Sequence, residues 1–290
     1  MSTRIDVRKT YKLYIGGAFP RSESGRSYVV DDARGRFLAN ASQASRKDAR
    51  DAVKAARSAF GGWSGRTAYN RGQVVYRIAE VLEGRRAQLE AEVRDATGLT
   101  AARARGDVDA AIDRLVWYAG WADKIAQVTG GANPVAGPYF NHSAPEPAGV
   151  VAVVAPDDPL LGLVSVLAPV ITTGNTAVVL ASEPAPLPAV TLSEVMATAD
   201  VPGGVVNVLT GVRAEVAPWL ASHMDVNGLD LTGIDDPQLA RELEESAAEN
   251  LKRVRRPRKE AQPEDFAGTP GLDRMTAFLE TKTVWHPMGI

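Results

Sequence analysis

The chain offers few side chains for covalent or metal chemistry. Its 290 residues include no cysteine and only three histidines, His142, His223 and His286. The lack of cysteine excludes disulfides, thiolate metal sites, redox dithiols and a cysteine nucleophile. Serine is the nearest other nucleophile, but its hydroxyl needs a base within reach, and no histidine falls in a motif that suggests a Ser-His-Asp triad. We therefore predict no metal site and no triad.

A basic run at residues 252–259 is the strongest local charge feature. Six of its eight residues are Lys or Arg, no aromatic residue lies among them, and acidic residues follow. Basic surfaces that bind nucleic acid combine a net positive field with a recognisable fold motif. Here 33 Lys plus Arg stand against 35 Asp plus Glu, a formal charge of -2. We interpret the run as part of a solvated linker and expect no nucleic-acid partner.

The composition is that of a globular chain, with 45% hydrophobic and 23% charged residues. The most apolar stretch, residues 150–182, is broken by prolines and two aspartates, so we predict no membrane span. The first 14 residues carry five charged side chains and no apolar core. We therefore expect no secretory signal and a cytoplasmic location.

Residues 1–126 are predicted to be mostly helical, after a small hairpin. The hairpin would join a strand at 12–20, ending in a Gly-Gly turn, to a partner strand at 27–30. Three amphipathic helices follow, and the first begins at an N-cap pair formed by Ser45 and Asp48. Their predicted positions are 45–60, 74–82 and 108–119.

Residues 149–251 alternate between apolar strands and helices. Strands are predicted at 149–155, 176–180, 204–209 and 228–231, and the last helix runs from 235 to about 251, with Leu251 on its apolar face. This alternation predicts an α/β fold with a Rossmann-like, doubly wound parallel sheet. Repeated Gly and Pro at 127–147 indicate an extended arm. Regular structure is predicted to stop after the last helix, over 252–270, before one or two helical turns at 271–279 and a last strand at 281–286.

Short motifs in a fixed order resemble the NAD(P)-dependent aldehyde dehydrogenase superfamily. The most specific are GNT at 174–176, SE at 182–183 and VPGGVVNVLTG at 201–211. The others are LYIGG at 13–17, AFGGW at 59–63, WYAGWADK at 117–124 and EPAGVV at 146–151. Because their order and spacing are kept together, the chain is identified as a member of that superfamily.

The resemblance implies a Rossmann-like cofactor domain, an inserted catalytic domain and a β arm through which subunits associate. In the family, a segment like the one ending at Val254 leads into a strand that carries the general-base glutamate. Here RRPRK at 255–259 follows instead, and TAFLETKTVW at 276–285 then resembles the family's C-terminal tail. We therefore predict a truncated member that lacks the catalytic domain, with its cysteine nucleophile and its glutamate base.

The expected organisation has five parts. They are the helical part of the cofactor-type domain (1–126), the oligomerisation arm (127–149), the Rossmann-like part (150–254), a linker in place of the catalytic domain (255–270) and a tail that joins the arm (271–290).

The resemblance also places the cofactor-binding residues. The family's ribose-binding Lys-Pro-Ser-Glu segment falls on residues 180–183, where Ser182 and Glu183 remain and the lysine does not. Its pyrophosphate-binding Thr-Gly-Ser segment falls on residues 232–234, where Thr232 and Gly233 remain and the serine does not. We interpret these four residues as vestigial.

Three aspartates stand where the family's chemistry disfavours them. Asp235 and Asp236 place negative charge at a helix N-terminus, where a phosphate needs free N–H groups. Asp158 matches the family's oxyanion-donor asparagine, and an ionised carboxylate cannot donate a hydrogen bond. A plain structural role remains open, in which Asp157 and Asp158 both cap the following helix. We expect no bound cofactor, or weak binding of NAD or NADP.

Two functional hypotheses follow. In the first, the chain is a catalytically inactive aldehyde dehydrogenase-like protein. It would act as a structural or regulatory subunit, in a hetero-oligomer with a full-length aldehyde dehydrogenase or by self-association. In the second, it is a residual NAD(P)-binding oxidoreductase or a nucleotide sensor. The first predicts assembly through the arm and through surfaces that a catalytic domain would otherwise cover.

Overall fold

A computed structural model describes residues 9–256 and 265–289. Its N-terminal part is a β hairpin followed by four long helices. These elements are Ser27–Asp31 (β1), Phe37–Ser42 (β2), Arg46–Ser64 (α1), Ala68–Gly84 (α2), Arg86–Thr97 (α3) and Ala101–Trp121 (α4). A short helix and two arm strands follow, at Ile125–Thr129 (α5), Gly131–Asn133 (β3) and Tyr139–Pro147 (β4).

The remainder alternates between strands and helices before it returns to the arm. Its elements are Val150–Val154 (β5), Leu161–Thr172 (α6), Thr176–Leu180 (β6), Leu187–Thr198 (α7), Val206–Leu209 (β7), Arg213–Ser222 (α8), Gly228–Asp230 (β8), Pro237–Ala248 (α9), Arg253–Arg255 (β9), Asp273–Thr276 (α10) and Leu279–Pro287 (β10). The strands β5 to β9 form one parallel sheet in the order β7-β6-β5-β8-β9. The predicted α/β, doubly wound fold is confirmed.

Both faces of the parallel sheet are covered by helices. Every residue of β5 and β6 is buried, which explains their nearly continuous apolar sequences, VVAVV and TAVVL. Alternate side chains of a strand point to opposite faces. Val151 and Val153 accordingly belong to the apolar cluster with α2, α4, α6 and α7. Val150, Ala152 and Val154 belong to the cluster on the other face, with α1, α8 and α9.

The arm is a separate antiparallel sheet in the order β10-β4-β3. The C-terminal strand β10 pairs with β4 along nine residues, from Leu279 opposite Pro147 to Pro287 opposite Tyr139. The tail therefore joins the arm, as the resemblance implied. Most arm residues are exposed, and Asn141 is the buried position of β4.

The first helix begins as its sequence predicts. Ser45 and Asp48 form a capping box, in which each side chain accepts a hydrogen bond from the other residue's backbone N–H. Asp48 is buried and also accepts hydrogen bonds from the Ser22 hydroxyl at 2.7 Å and from the Glu23 backbone at 3.1 Å. The cap thus ties the N-terminal loop to the start of α1.

Several predictions about the N-terminal part are wrong. Residues 12–20 form no continuous strand, because Tyr14 makes an isolated bridge to Val208 and Ile15 turns back onto Ala18. The hairpin partner of β1 is instead β2. The Gly61-Gly62 pair does not stop α1, which continues to Ser64, and the sequence pattern did not predict α3.

The end of the Rossmann-like part also differs from expectation. Helix α9 ends at Ala248, and Leu251 is 90% exposed with a positive φ of 58°, so it lies outside the helix and its apolar face. Regular structure does not stop there, because β9 adds a fifth strand beside β8. Residues 257–264, which include the end of the basic run and half of the predicted linker, lie outside the described residues.

Within residues 9–256 and 265–289, no helix has the length and apolar character needed to cross a bilayer.

Candidate cofactor crevice

The sheet order places a crevice between β5 and β8. In a doubly wound sheet, ligands bind outside the carboxyl ends of the strands at the point where the strand order reverses. Here β5 is flanked by β6 on one side and by β8 on the other. Ser182 and Glu183 follow β6, and Thr232 and Gly233 follow β8, so the four predicted residues lie at this carboxyl edge in two pairs.

The first pair is engaged by the protein itself. The Ser182 hydroxyl donates to Asp157 Oδ1 at 2.8 Å and accepts from the backbone N–H of Ala185 at 3.2 Å. Glu183 Oε2 accepts the backbone N–H of Arg213, the first residue of α8, at 2.8 Å. Glu183 therefore caps a helix in the position where the resemblance placed a ribose ligand.

Arg213 is a residue of the crevice that the sequence did not reveal. Its guanidinium donates to the backbone oxygen of Ala155 at 2.9 Å and to Asp157 Oδ1 at 2.5 Å. The side chain is only 13% exposed, and it lies across the carboxyl end of β5. The sequence contains one indication of its role. Arg213 is a cation in the first turn of a helix, where the macrodipole disfavours positive charge unless a carboxylate lies near.

The second pair has little free hydrogen-bonding capacity. The backbone N–H of Thr232 donates to Asp230 Oδ1 at 2.9 Å, and its hydroxyl contacts the same carboxylate. The N–H of Gly233 donates to the Val154 oxygen at 2.9 Å. A Cβ at Gly233 would lie 2.0 Å from the Ala155 oxygen, so the glycine permits a close approach between this loop and β5.

The start of α9 lacks the donors that a phosphate needs. Pro237 is the first residue of the helix and has no N–H, and the side chain of Asp236 accepts the N–H of Gln238 at 2.9 Å. Asp235 adds a second acidic side chain beside it. Anions bind helix N-termini through free N–H groups and positive potential. These residues therefore fit a bound pyrophosphate poorly.

A buried ion pair closes the β8 side of the crevice. Asp230 and Arg274 are 3.1 Å apart, with side chains 2% and 5% exposed. Arg274 also reaches the Thr232 hydroxyl at 3.3 Å, and Arg255 reaches it at 3.4 Å. Arg274 belongs to α10. Its ion pair with Asp230 therefore anchors the segment that follows residues 257–264 to the carboxyl edge of the sheet.

The same segment completes the core. Met275 and Phe278 are buried in the cluster on one face of the sheet, and Gly228 leaves room for the Phe278 ring. Arg114 of α4 donates to the backbone oxygen of Gly268 at 2.8 Å. Residues 265–278 are therefore packed against the helical layer and the sheet.

Two aspartates meet at the start of α6. Burial raises the pKa of Asp158, and the N–H groups of Gly162, Leu160 and Leu161 partly oppose that shift. Burial also raises the pKa of Asp107 on α4 to about 7, and the nearby charge of Asp158 adds to the rise. Asp158 thus faces the N-terminus of α6, and its match to an oxyanion-donor asparagine stays a prediction. The structural alternative is wrong for Asp157, which pairs with Arg213 instead of capping α6.

No group of three or more His, Asp or Glu in the described parts of the chain could hold a metal ion. The fold and its sheet order define a class of domain, the doubly wound α/β domains. The profile of the aldehyde dehydrogenase family matches residues 19–256, and the chain belongs to that family.

Relatives share about a third of their aligned residues with the chain. It is 34% identical over 253 residues to the putative aldehyde dehydrogenase DhaS of Bacillus subtilis (strain 168), covering 86% of this chain and 50% of that protein. It is 34% identical over 257 residues to retinal dehydrogenase 2 of Mus musculus, covering 86% and 48%. The chain thus spans about half the length of these relatives.

Solved structures lead to the same family. HpcC from Thermus thermophilus superposes with a TM-score of 0.80 at 30% identity, covering 85% of this chain and 47% of that one. The NAD+ complex of an aldehyde dehydrogenase from Bacillus cereus gives 0.80 at 28% identity, covering 85% and 50%. The chain is therefore a truncated aldehyde dehydrogenase-like protein that retains the cofactor-type fold.

Replacing Arg274 with methionine should strongly destabilise the fold. The substitution leaves the Asp230 carboxylate buried without its ion-pair partner, which costs about 3 to 5 kcal/mol in buried pairs. Urea unfolding followed by circular dichroism measures the change. The matched control is Arg253→Met, because the Arg253–Glu280 pair is exposed and should contribute less than about 1 kcal/mol. Equal losses in the two variants would contradict the assigned role of the buried pair.

Replacing Asp107 with asparagine should change how stability depends on pH. A carboxyl group with a folded pKa near 7 and an unfolded pKa near 4 binds more protons when folded, so its ionisation costs stability as pH rises between these values. We expect Asp107→Asn to raise the free energy of unfolding by about 1 to 3 kcal/mol at pH 8 and to change it little at pH 4. Urea unfolding at both values measures this.

The control is Asp113→Asn, an exposed aspartate on the same helix, which should shift stability by less than about 0.5 kcal/mol at either pH. If Asp107→Asn changes the free energy of unfolding at pH 8 no more than this control does, burial does not destabilise the ionised Asp107 carboxylate.

Proposed function

We propose that the chain is a catalytically inactive aldehyde dehydrogenase-like subunit that assembles with a full-length aldehyde dehydrogenase. The arm carries this proposal. It is a three-stranded sheet whose residues are mostly exposed, and it presents large apolar side chains to solvent. Small sheets need a covered face to be stable on their own, so the arm is suited to a partner surface.

The arm's exposed apolar residues form the contact surface we assign. Tyr139 is 44% exposed and Trp285 57%, and both lie on the same face of the arm sheet. Phe140, 47% exposed, points to the opposite face, and Met288, 51% exposed, follows the end of β10. The rings of Tyr139 and Trp285 pack edge to face, with centroids 5.8 Å apart, which joins β4 and β10 into one patch. Contiguous exposed apolar patches of this kind mark protein–protein contacts.

Strand edges support the same partner. Within the described residues, β3 and β10 each pair with β4 alone, so their outer edges carry backbone groups without a strand partner. Such edges accept a further strand from another chain. The resemblance implies that a full-length aldehyde dehydrogenase also has a catalytic domain, and we assign the added strand to such an enzyme.

The chemistry at the crevice supports an inactive role. Aldehyde oxidation of the kind the resemblance implies needs a thiolate nucleophile, and this sequence has no cysteine. Asp158 stands where a hydrogen-bond donor would stabilise a developing oxyanion, and a carboxylate there opposes that charge. The chain's role is therefore assigned to assembly, where it would position or stabilise the active subunit.

Assembly is tested by co-expressing the chain with a full-length aldehyde dehydrogenase from the same cell. We expect one complex whose mass exceeds that of the enzyme alone, measured by light scattering after size-exclusion chromatography. Trp285→Ser should dissociate it, because an aromatic anchor at an interface contributes about 2 kcal/mol or more.

Tyr76→Ser is the matched control, since Tyr76 is 50% exposed on α2, away from the arm, and it should leave the complex intact. A complex of this chain with itself alone would favour self-association. If the chain is a stable monomer that does not bind the enzyme, the proposal is contradicted.

A residual nucleotide-binding function is the second candidate. The crevice retains the switch point of a doubly wound sheet, and the similar Bacillus cereus enzyme was solved with NAD+. Tight binding is disfavoured because most polar groups at the carboxyl edge already bond within the chain. Arg213 pairs with Asp157, and the loop around Thr232 bonds to Asp230.

Calorimetric titration with NAD+ and NADP+ separates the two candidates. We expect a dissociation constant weaker than about 1 mM at the crevice, since two carboxylates at a phosphate site each oppose the ligand by about 1 kcal/mol. We also expect no NADH absorbance when an aldehyde is added with NAD+. Tight saturable binding abolished by Thr232→Val would favour the sensor, and NADH production by the pure chain would refute inactivity.

A further inference from the structure

A basic groove runs between α1 and α8, two of the helices that cover one face of the parallel sheet. None of its lining residues belongs to the arm. Its volume is about 550 Å³. Its lining includes Arg46, Lys47, Arg50, Trp219, His223 and Met224. Among the lining residues three are cationic and none is acidic. The proposed function uses none of these residues.

The sequence of α1 explains the charge. Ala49, Ala52, Val53 and Ala56 of this helix are buried against the sheet. The basic residues of α1 fall between these apolar positions and therefore point outward, at 46, 47, 50, 54 and 57. Three of them, Arg46, Lys47 and Arg50, form one wall of the groove.

The other wall of the groove carries a tryptophan whose indole is not part of the buried core. The buried residues of α8 are Val216, Ala217, Leu220 and Ala221, whereas Trp219 is 41% exposed. The guanidinium of Arg46 lies 4.1 Å from the Trp219 ring centroid, which holds both groups at the groove. Met224, 68% exposed, adds an adaptable apolar surface beside the ring.

The cations of the groove are weakly neutralised. Lys47 pairs with Glu23 at 3.1 Å and Arg50 with Asp51 at 2.9 Å, and all four side chains are more than a third exposed. Exposed pairs of this kind contribute about 0 to 1 kcal/mol, so a competing anion can displace them. In the described parts of the chain, Arg46 has no carboxylate partner and contacts Trp219 instead.

We propose that this groove binds an anion that carries an aromatic ring, of the nucleotide class. The ring packs on Trp219 and Met224, and the phosphates meet Arg46, Lys47 and Arg50. Arginine suits both parts, because its guanidinium stacks on rings and pairs with phosphate oxygens. A simple phosphate would leave the indole unused, and a neutral ring would leave the cations unused.

Isothermal titration calorimetry of the full chain with ADP, adenosine and pyrophosphate tests the proposal. We expect saturable one-to-one binding of ADP, with adenosine and pyrophosphate each weaker by about tenfold or more. Arg46→Gln and Trp219→Leu should each weaken ADP binding by about tenfold. Both residues lie at the surface, so thermal unfolding should show that the variants remain folded.

Arg66→Gln is the matched control, because Arg66 also lies over an indole, that of Trp63, but outside this groove. It should leave ADP affinity unchanged. Any one of three results would overturn the proposal. ADP does not bind, pyrophosphate binds as tightly as ADP, or ADP binds equally well to both groove variants. Failure here leaves the assembly test intact, because that test reads the mass of the complex formed through the arm.

Discussion

Burying a charge without a partner is costly, and this constraint organises the carboxyl edge of the sheet. Asp230 ends β8 inside the protein, where its carboxylate needs a cation. Arg274 supplies it, and with it comes α10, which brings Met275 and Phe278 into the core. One acidic residue at a strand end thus fixes where the chain returns to the body of the protein.

Charged side chains of the crevice pair with one another, although the path of the backbone matches that of the solved aldehyde dehydrogenases. The fold superposes on solved aldehyde dehydrogenases with a TM-score of 0.80, so the strands and loops are kept. Arg213 and Asp157 nevertheless pair across the end of β5, and Glu183 serves as a helix cap. Most of the polar groups described at this edge are therefore paired within the chain.

Much of the fold could be predicted from periodicity. The apolar runs of β5 and β6 and the capping box at Ser45 identify their elements because burial and capping are local in sequence. The short strand β9 could not be predicted, since RVR has no apolar pattern and forms only because β8 offers a free edge beside it. Helix α3 has just two buried residues, Leu89 and Val93, which is too few to mark a stripe.

The contacts of the candidate site could not be predicted from the sequence. The resemblance assigned Ser182, Glu183, Thr232 and Gly233 to cofactor binding, which stays a prediction, and the structure places all four at the carboxyl edge. It could not supply Arg213 or Arg274, because their partners, Asp157 and Asp230, lie 56 and 44 residues away in the chain. Ion pairs between distant residues depend on the tertiary fold and leave no spacing signal.

The two chain segments that border residues 257–264 are held side by side, since Arg255 and Asp273 form a pair 3.1 Å apart. Insertions are tolerated best where the two flanking chain positions lie close together. The chain between β9 and α10 can therefore differ in length between proteins of this fold without disturbing the pairing of β9 with β8.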